Sequence, residues 1–426
     1  MTPIQDHPLR YQLANELHAR PFPAIEVPAT VVFVAIKRPG AAAGRDRDAD
    51  LAHLTALLDR HGAAHPQPGA THYSGQIGRH VLKWEQHTEF VTYTAISKGL
   101  SARAFDPGDF EVFPADWLEA APGRRMTSAS VRIQSRPDDV AISTLLDDWF
   151  VPESLAVARV LDGGAVVAGD YRIDPAGHMR FALFAGAETE ELRIGRVVQR
   201  ILEIETYKSI SMLGFARTRD LQREIGGLET RLTELMTDMT GGAHPADDVL
   251  EPLLSVSAEL ETLAARASYR FAATAAYEAI VGQRIEALRE ARFAGRPLFA
   301  EFMMRRFDPA MRTVRATERR LQALADRAMR AGELLRTKVD VERSAQNQAL
   351  LESMDRRADM ALRLQRTVEG LSVVAISYYA VSLVGYLIYP LTGVLGLSKG
   401  QLTAAITLPV VGLVWWMIRR VRRRLE

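Results

Sequence analysis

Residues 370–398 read GLSVVAISYYAVSLVGYLIYPLTGVLGLS, residues 399–418 read KGQLTAAITLPVVGLVWWMI, and RRVRRRLE follows to residue 426. No residue from Gly370 to Ser398 is charged. As a helix that stretch reaches about 43 Å, more than the roughly 30 Å hydrocarbon core of a bilayer. Gly400 to Ile418 is also uncharged and reaches about 28 Å. Thr392, Gly393, Gly396, Ser398, Lys399 and Gly400 lie between the two and read as a tight connection. The pattern predicts a transmembrane hairpin, with a first span over 371–390, a second over 400–418 and a basic tail over 419–426. Two long adjacent apolar segments ending in arginines disfavour the other reading, a buried hairpin of a soluble core.

Arginine placement orients the hairpin. Arg356, Arg357, Arg363 and Arg366 precede the first span; Arg419, Arg420, Arg422, Arg423 and Arg424 follow the second; the connection holds only Lys399. The positive-inside rule then puts both termini in the cytoplasm, and the expected location is a bacterial inner membrane. Trp415, Trp416, Arg419 and Arg420 are the candidate membrane-interface anchors, with anionic lipid as the expected contact of the arginines. Along the first span Tyr378, Ser382, Gly385 and Tyr389 share one helical face, flanked by Tyr386. That face is a candidate pore-lining or oligomer-facing stripe, against the plainer reading that small and hydroxyl residues pack neighbouring helices. Neither span holds an ionisable Asp, Glu, Lys, Arg or His that would mark a proton relay.

Working back along the chain, Asp308-Pro309 opens a helical pattern in which Val314, Leu321, Leu324, Ala328, Ala331 and Leu335 keep a three-four spacing. After Gln346-Asn347-Gln348 the pattern resumes in a shifted register, which argues against an unbroken coiled coil. Residues 308–370 thus read as a stalk helix running into the first span. Residues 189–307 read as long antiparallel helices, one from Thr189, the expected cap, to about Thr240 and one from Asp247 to about Phe293. Gly226-Gly227 is an expected interruption of the first, and Gly241-Gly242 and Gly295-Arg296-Pro297 are the breaks.

Residues 1–188 differ in kind. Thr30–Lys37 (TVVFVAIK) is a β-branched run bounded by prolines, hence a strand. Asp50–Arg60 reads as a short helix. Arg79–Trp84 with Glu89–Ile96 reads as a hairpin, Ser128–Gln134 as another strand, and Ala165–Ala168 with Met179–Phe184 as a second hairpin. Asp147-Asp148-Trp149-Phe150 and Pro152 read as a helix start. The fold class that follows is an α+β or α/β N-terminal domain with a mixed sheet, a long α-helical bundle or stalk, and the C-terminal two-helix hairpin.

The whole chain has 426 residues, a formal net charge of +1 and no cysteine. The near-neutral balance gives no global basic field, so nucleic acid is not an expected partner. The lack of cysteine excludes disulfides, thiolate metal sites and cysteine nucleophiles. The N-terminus lacks the charged and apolar regions of a signal peptide, so none is expected. Eight of the ten histidines fall within the first 87 residues, from His7 to His87, without a recurrent ligand spacing. The metal-site question stays open on sequence; no organic cofactor is expected, and a divalent cation is a candidate ligand. There is no P-loop or nucleophile elbow, and Gly163-Gly164 with Gly169 has the wrong spacing for a dinucleotide fingerprint.

The segment His7-Pro8-Leu9-Arg10-Tyr11 through Asn15-Glu16-Leu17-His18-Ala19-Arg20-Pro21-Phe22-Pro23 resembles the start of a bacterial family of uncharacterised membrane-anchored proteins. The resemblance continues through Gln199 to Tyr207 (QRILEIETY) and through the stalk from Leu364 to Tyr379. It implies membrane anchoring and supplies no activity; Asn15, Glu16, His18 and Arg20 are its motif residues of unknown role. The layout, an α/β domain with long helices, two spans and a basic end, is similar in outline to the CorA divalent-cation channels, which are homopentamers. The Gly-Met-Asn of those channels is missing, and Gly385-Tyr386-Leu387-Ile388-Tyr389-Pro390 stands in the corresponding place. The expected function is therefore a cytosolic scaffold or sensor tethered by the hairpin and not an enzyme, with a homo-oligomeric CorA-like channel as the alternative. A membrane-bound enzyme built on Glu16, His18 and Arg20 ranks third. The expected partners are membrane lipid and further copies of the chain.

Overall fold

The run read as a strand from Thr30 is the centre of the sheet. β1 (Ala29–Lys37) is buried at every position, as a strand covered on both faces must be, so it shows an apolar run rather than alternation. The computed structural model describes residues 4–11, 22–40, 46–241, 245–391 and 398–422. Around β1 stand β2 (His72–Ile77), β3 (His80–Gln86), β4 (Phe90–Lys98), β5 (Arg124–Ser135), β6 (Ala156–Val160), β7 (Ala165–Gly169), β8 (Met179–Ala185) and the short β9 (Ala291–Arg292). They form one sheet in the order β2-β3-β4-β1-β5-β8-β7-β6-β9. The pairings between neighbouring strands are antiparallel except β5 with β8, which is parallel. The register sets Val34 opposite Tyr93 and Ser128, and Phe33 opposite Thr94 and Ala129.

That register sorts the two faces. Val32, Val34, Trp84 and Tyr93 pack against Leu54, Leu57 and Leu58 of α1 (Arg47–Arg60) and Trp117 of α2 (Ala115–Glu119). On the same face Val166, Ala182 and Phe184 meet Ile142 and Leu146 of α3 (Asp139–Trp149). The α3 boundaries correct the expectation for residues 147–152, which end a helix rather than start one. The start is signalled by Asp138, whose side chain accepts from the Ala141 amide at 2.8 Å, and Pro152 opens a following 3-10 turn.

The other face carries α4 (Glu191–Gly241) and α5 (Ala246–Leu288). Successive contacts between them run in opposite directions: Glu203 with Arg284, Gly214 against Thr274, Arg231 with Glu259. The two helices are therefore antiparallel. The Thr189 hydroxyl, expected as the cap of α4, donates to the Gly164 carbonyl instead, at 3.0 Å. Gly226 and Gly227 do not interrupt α4, because two glycine costs of about 1 kcal/mol each are small against the burial of Leu221, Ile225, Leu228 and Leu232. α6 (Phe299–Arg306) leads into α7 (Asp308–Ile388), whose early part pairs Arg320 with Glu229 and Arg315 with Glu278. A turn at Tyr389–Leu391 follows, and α8 (Lys399–Arg422) is the last helix. Contacts divide the chain into two compact units, Met1–Gly332 and Glu333–Glu426, with the division inside α7.

Candidate functional site

On the sheet face that carries α4 and α5, polar groups gather where an apolar layer would be the default. Glu89, in the turn between β3 and β4, is fully buried. Its carboxylate faces Lys37 Nζ at the end of β1 (3.3 Å) and Arg270 Nη2 on α5 (2.6 Å). The hydroxyls of Tyr269 and Tyr277 both donate to Glu89 Oε1 at 3.3 Å. Burial alone would raise the Glu89 carboxyl; Arg270 and Lys37 together outweigh it and hold the group below the usual carboxylate range. Burial, followed by the charge of Glu89, pushes the Tyr277 and Tyr269 hydroxyls up, so both stay protonated donors. The QRILEIETY segment lies next to this layer. Gln199 accepts from Lys83 Nζ at 2.9 Å, Glu205 is fully buried and accepts from Thr127 at 2.9 Å and Lys208 at 2.7 Å, and Tyr207 stacks on Tyr277 with ring centres 5.5 Å apart.

Lys37 and Arg270 also line an open cleft of about 910 Å³. Its other cations are Arg38, Arg124, Arg125, Arg217 and Arg266, and its one lining acid is Asp220. Arg124 and Arg125 stand exposed at the start of β5, and Arg217 and Arg266 project from α4 and α5. Among the described residues the side chains of Arg124, Arg125, Arg217 and Arg266 form no ion pair or hydrogen bond, and Nη1 of Arg270 is buried without a hydrogen-bond partner. Tyr269, 41% exposed, supplies an aromatic surface beside Met126 and Leu213.

The histidines do not converge. His53 is a core residue: its Nε2–H donates to the Trp117 carbonyl (2.9 Å), its Nδ1 accepts from Tyr93 Oη (2.9 Å), and the ring stacks on Trp117. Burial lowers its pKa, which keeps the ring neutral. His80 pairs with Ser97, and His65 with Asp59. Among the described residues no group of three or more His, Asp or Glu is placed to hold a metal ion.

In the second unit, α7 and α8 are both long and apolar enough to cross a membrane, and only 6% and 11% of their apolar windows are buried. A groove between the two helices is lined by Tyr378, Ser382, Gly385, Tyr386 and Tyr389 from α7 and by Leu402, Thr403 and Thr407 from α8. The one-sided stripe read on the first span thus faces the groove shared with the second. Ser377 lies on the same wall, and its buried hydroxyl has no partner among the described residues. Arg419 and Arg420 lie over the rings of Trp415 and Trp416 at 5.0 and 5.2 Å, one helical turn on.

The family described as "Protein of unknown function (DUF3422)" matches residues 5–425. The chain belongs to that family. A comparison with curated proteins found no match. The DUF3422 match carries no likeness to CorA channels, which stays an analogy of layout. In this DUF3422 chain the motif residues Asn15, Glu16, His18 and Arg20 lie outside the described residues. Glu89, its cationic partners and the cleft arginines carried no local signal beyond the adjacent pairs Lys37-Arg38 and Arg124-Arg125, because they come from separate elements.

Proposed function

We propose that this DUF3422 protein is a membrane-tethered scaffold or sensor. α7 from about Leu371 and α8 from Gly400 to Ile418 form the anchor in a bacterial inner membrane, with both chain ends cytoplasmic and the sheet domain on the cytosolic side. The observation that carries the reading is the exposure of both apolar windows, of which only 6% and 11% is buried. A core helix of a soluble protein hides such a face, whereas lipid covers it at no cost. Pro409 within α8 fits the same solvent, because a spanning helix tolerates proline when neighbouring groups re-satisfy the freed carbonyl.

The chain has no cysteine, which makes topology directly measurable. With single cysteines at Gly396→Cys and Arg424→Cys, an impermeant maleimide added to intact cells is expected to label the first and not the second. Full-length protein is expected to stay with carbonate-washed membranes. Release of the full chain by carbonate, or labelling of position 424 from outside, would refute the anchor or its orientation respectively.

The second reading is a homo-oligomer that passes ions, and the groove carrying Ser377, Tyr378 and Ser382 favours it. It expects Ser382→Leu to lower cation flux in reconstituted liposomes at unchanged protein incorporation; flux equal to that of empty liposomes for the unsubstituted protein rejects it.

A further inference from the structure

The cleft on the α4–α5 side of the sheet is built against its own electrostatics. Seven cations line it, and the carboxylates that meet them are Asp220 on the wall and Glu89 beneath Lys37 and Arg270. Several arginines elsewhere in this body take carboxylate partners: Arg60 with Asp116, Arg180 with Asp170, Arg231 with Glu259, Arg296 with Asp147. Arg124, Arg125, Arg217 and Arg266 take none among the described residues. Like charges gathered in one concavity repel each other and focus a positive potential there. The folded chain bears that cost over a surface drawn from four separate elements, and an anion held in the cleft removes it.

We propose that this cleft binds a soluble organic phosphate carrying two or more phosphoryl groups. The cations are almost all arginine, and the guanidinium fork matches the oxygens of a phosphoryl group two at a time, which a lysine does not. The floor is held in place: Glu89 fixes Lys37 and Arg270, and Arg38 donates from Nε to the Pro122 carbonyl at 3.2 Å. One wall is apolar, with the Tyr269 ring oriented by its hydroxyl on Glu89 and Met126 and Leu213 beside it. That wall suits the organic part of the ligand, whereas inorganic phosphate would use only the arginines. A net charge of +1 gives no global basic field to draw in a nucleic acid. The inference holds whether or not the hairpin enters a bilayer.

The test uses the full chain in phosphatidylcholine nanodiscs. ATP and inorganic tripolyphosphate, both without magnesium, are titrated by calorimetry, and a water-soluble short-chain phosphatidic acid forms the third arm. Saturable ATP binding is expected, steeply weakened by salt, with each of Arg124→Ala/Arg125→Ala and Arg217→Ala/Arg266→Ala raising Kd at least about tenfold. Arg363→Ala/Arg366→Ala, which removes the same charge from the stalk, is expected to leave Kd within about twofold. The side chains of the four cleft arginines make no ion pair or hydrogen bond among the described residues, so their variants keep the fold, checked by an unchanged melting curve. Binding confined to phosphatidic acid overturns the soluble ligand in favour of a lipid head group. Absence of saturable binding, or equal weakening by the stalk variant, overturns the site.

Discussion

Glu89→Ala is expected to cost about 3–5 kcal/mol, because it removes the one carboxylate between two cations that are themselves largely buried. Lys37 and Arg270 would then repel each other at the foot of an already cationic cleft, and the Tyr269 and Tyr277 hydroxyls would lose their acceptor. In a thermal melt of the detergent-solubilised chain the apparent Tm should fall by roughly 10 °C. Glu89→Gln keeps the shape and one acceptor oxygen, so a smaller loss is expected. The pH dependence separates charge from shape. The folded-state pKa of Glu89 lies below its unfolded value, so its contribution is present above about pH 4.5 and is lost as pH falls through the folded value. The gap in Tm between the unsubstituted chain and Glu89→Gln should accordingly be widest near neutrality and close in acid. A gap that persists unchanged at low pH would mean that packing, not the carboxylate charge, holds the layer.

The parts of this molecule that sequence exposes are those whose signal is local. Thr30–Lys37 announces β1 by β-branching and flanking prolines, and the paired runs around residues 80–96 and 165–184 become the β3–β4 and β7–β8 pairings. The helical patterns from residues 189, 247 and 308 become α4, α5 and α7, and the charge-free runs after Gly370 become the two exposed apolar helices. Where two local signals competed, the reading failed. Trp149 and Phe150 beside Pro152 looked like a helix entry, but Asp138 and Asp139 already supplied the cap and first-turn charge. The Glu89 layer had no local signature at all: its partners Lys37 and Arg270 stand on either side of it in sequence, the second 181 positions away, and only the antiparallel return of α5 across the sheet brings them together. The cleft arginines were invisible for the same reason. An arginine on a helix reads as a solvated face until the fold shows that it shares a cleft with cations of other elements and a single lining acid, Asp220.

Gly195→Ala is the other substitution with a large expected effect, and it reports on the N-terminal segment. Gly195 lies in the second turn of α4 and is buried, and a Cβ built there would overlap the carbonyl oxygen and carbon of Pro23. The obstruction is backbone, so no rotamer change relieves it. The extended segment Phe22–Glu26 is also tied to the helix start, where the Ile25 amide donates to the Glu191 carbonyl at 3.2 Å, and Ile25 is 1% exposed. Moving this segment outward to admit a methyl would break that bond and unbury Ile25 together, a loss of about 3 kcal/mol or more from one hydrogen bond and one buried aliphatic side chain. Gly226→Ala on the same helix serves as the control. An added Cβ at Gly226 meets nothing, and alanine is the better helix former by about 1 kcal/mol, so that substitution should be neutral or stabilising. Limited proteolysis reads the two apart: Gly195→Ala should open cleavage before residue 28 with the rest of the body intact, and Gly226→Ala should not. Equal resistance of both variants would show that the chain before β1 is held by contacts other than its close approach to α4. Cleavage throughout the body of Gly195→Ala would show instead that the Pro23–Ile25 crossing is needed for the sheet and α4 to pack at all.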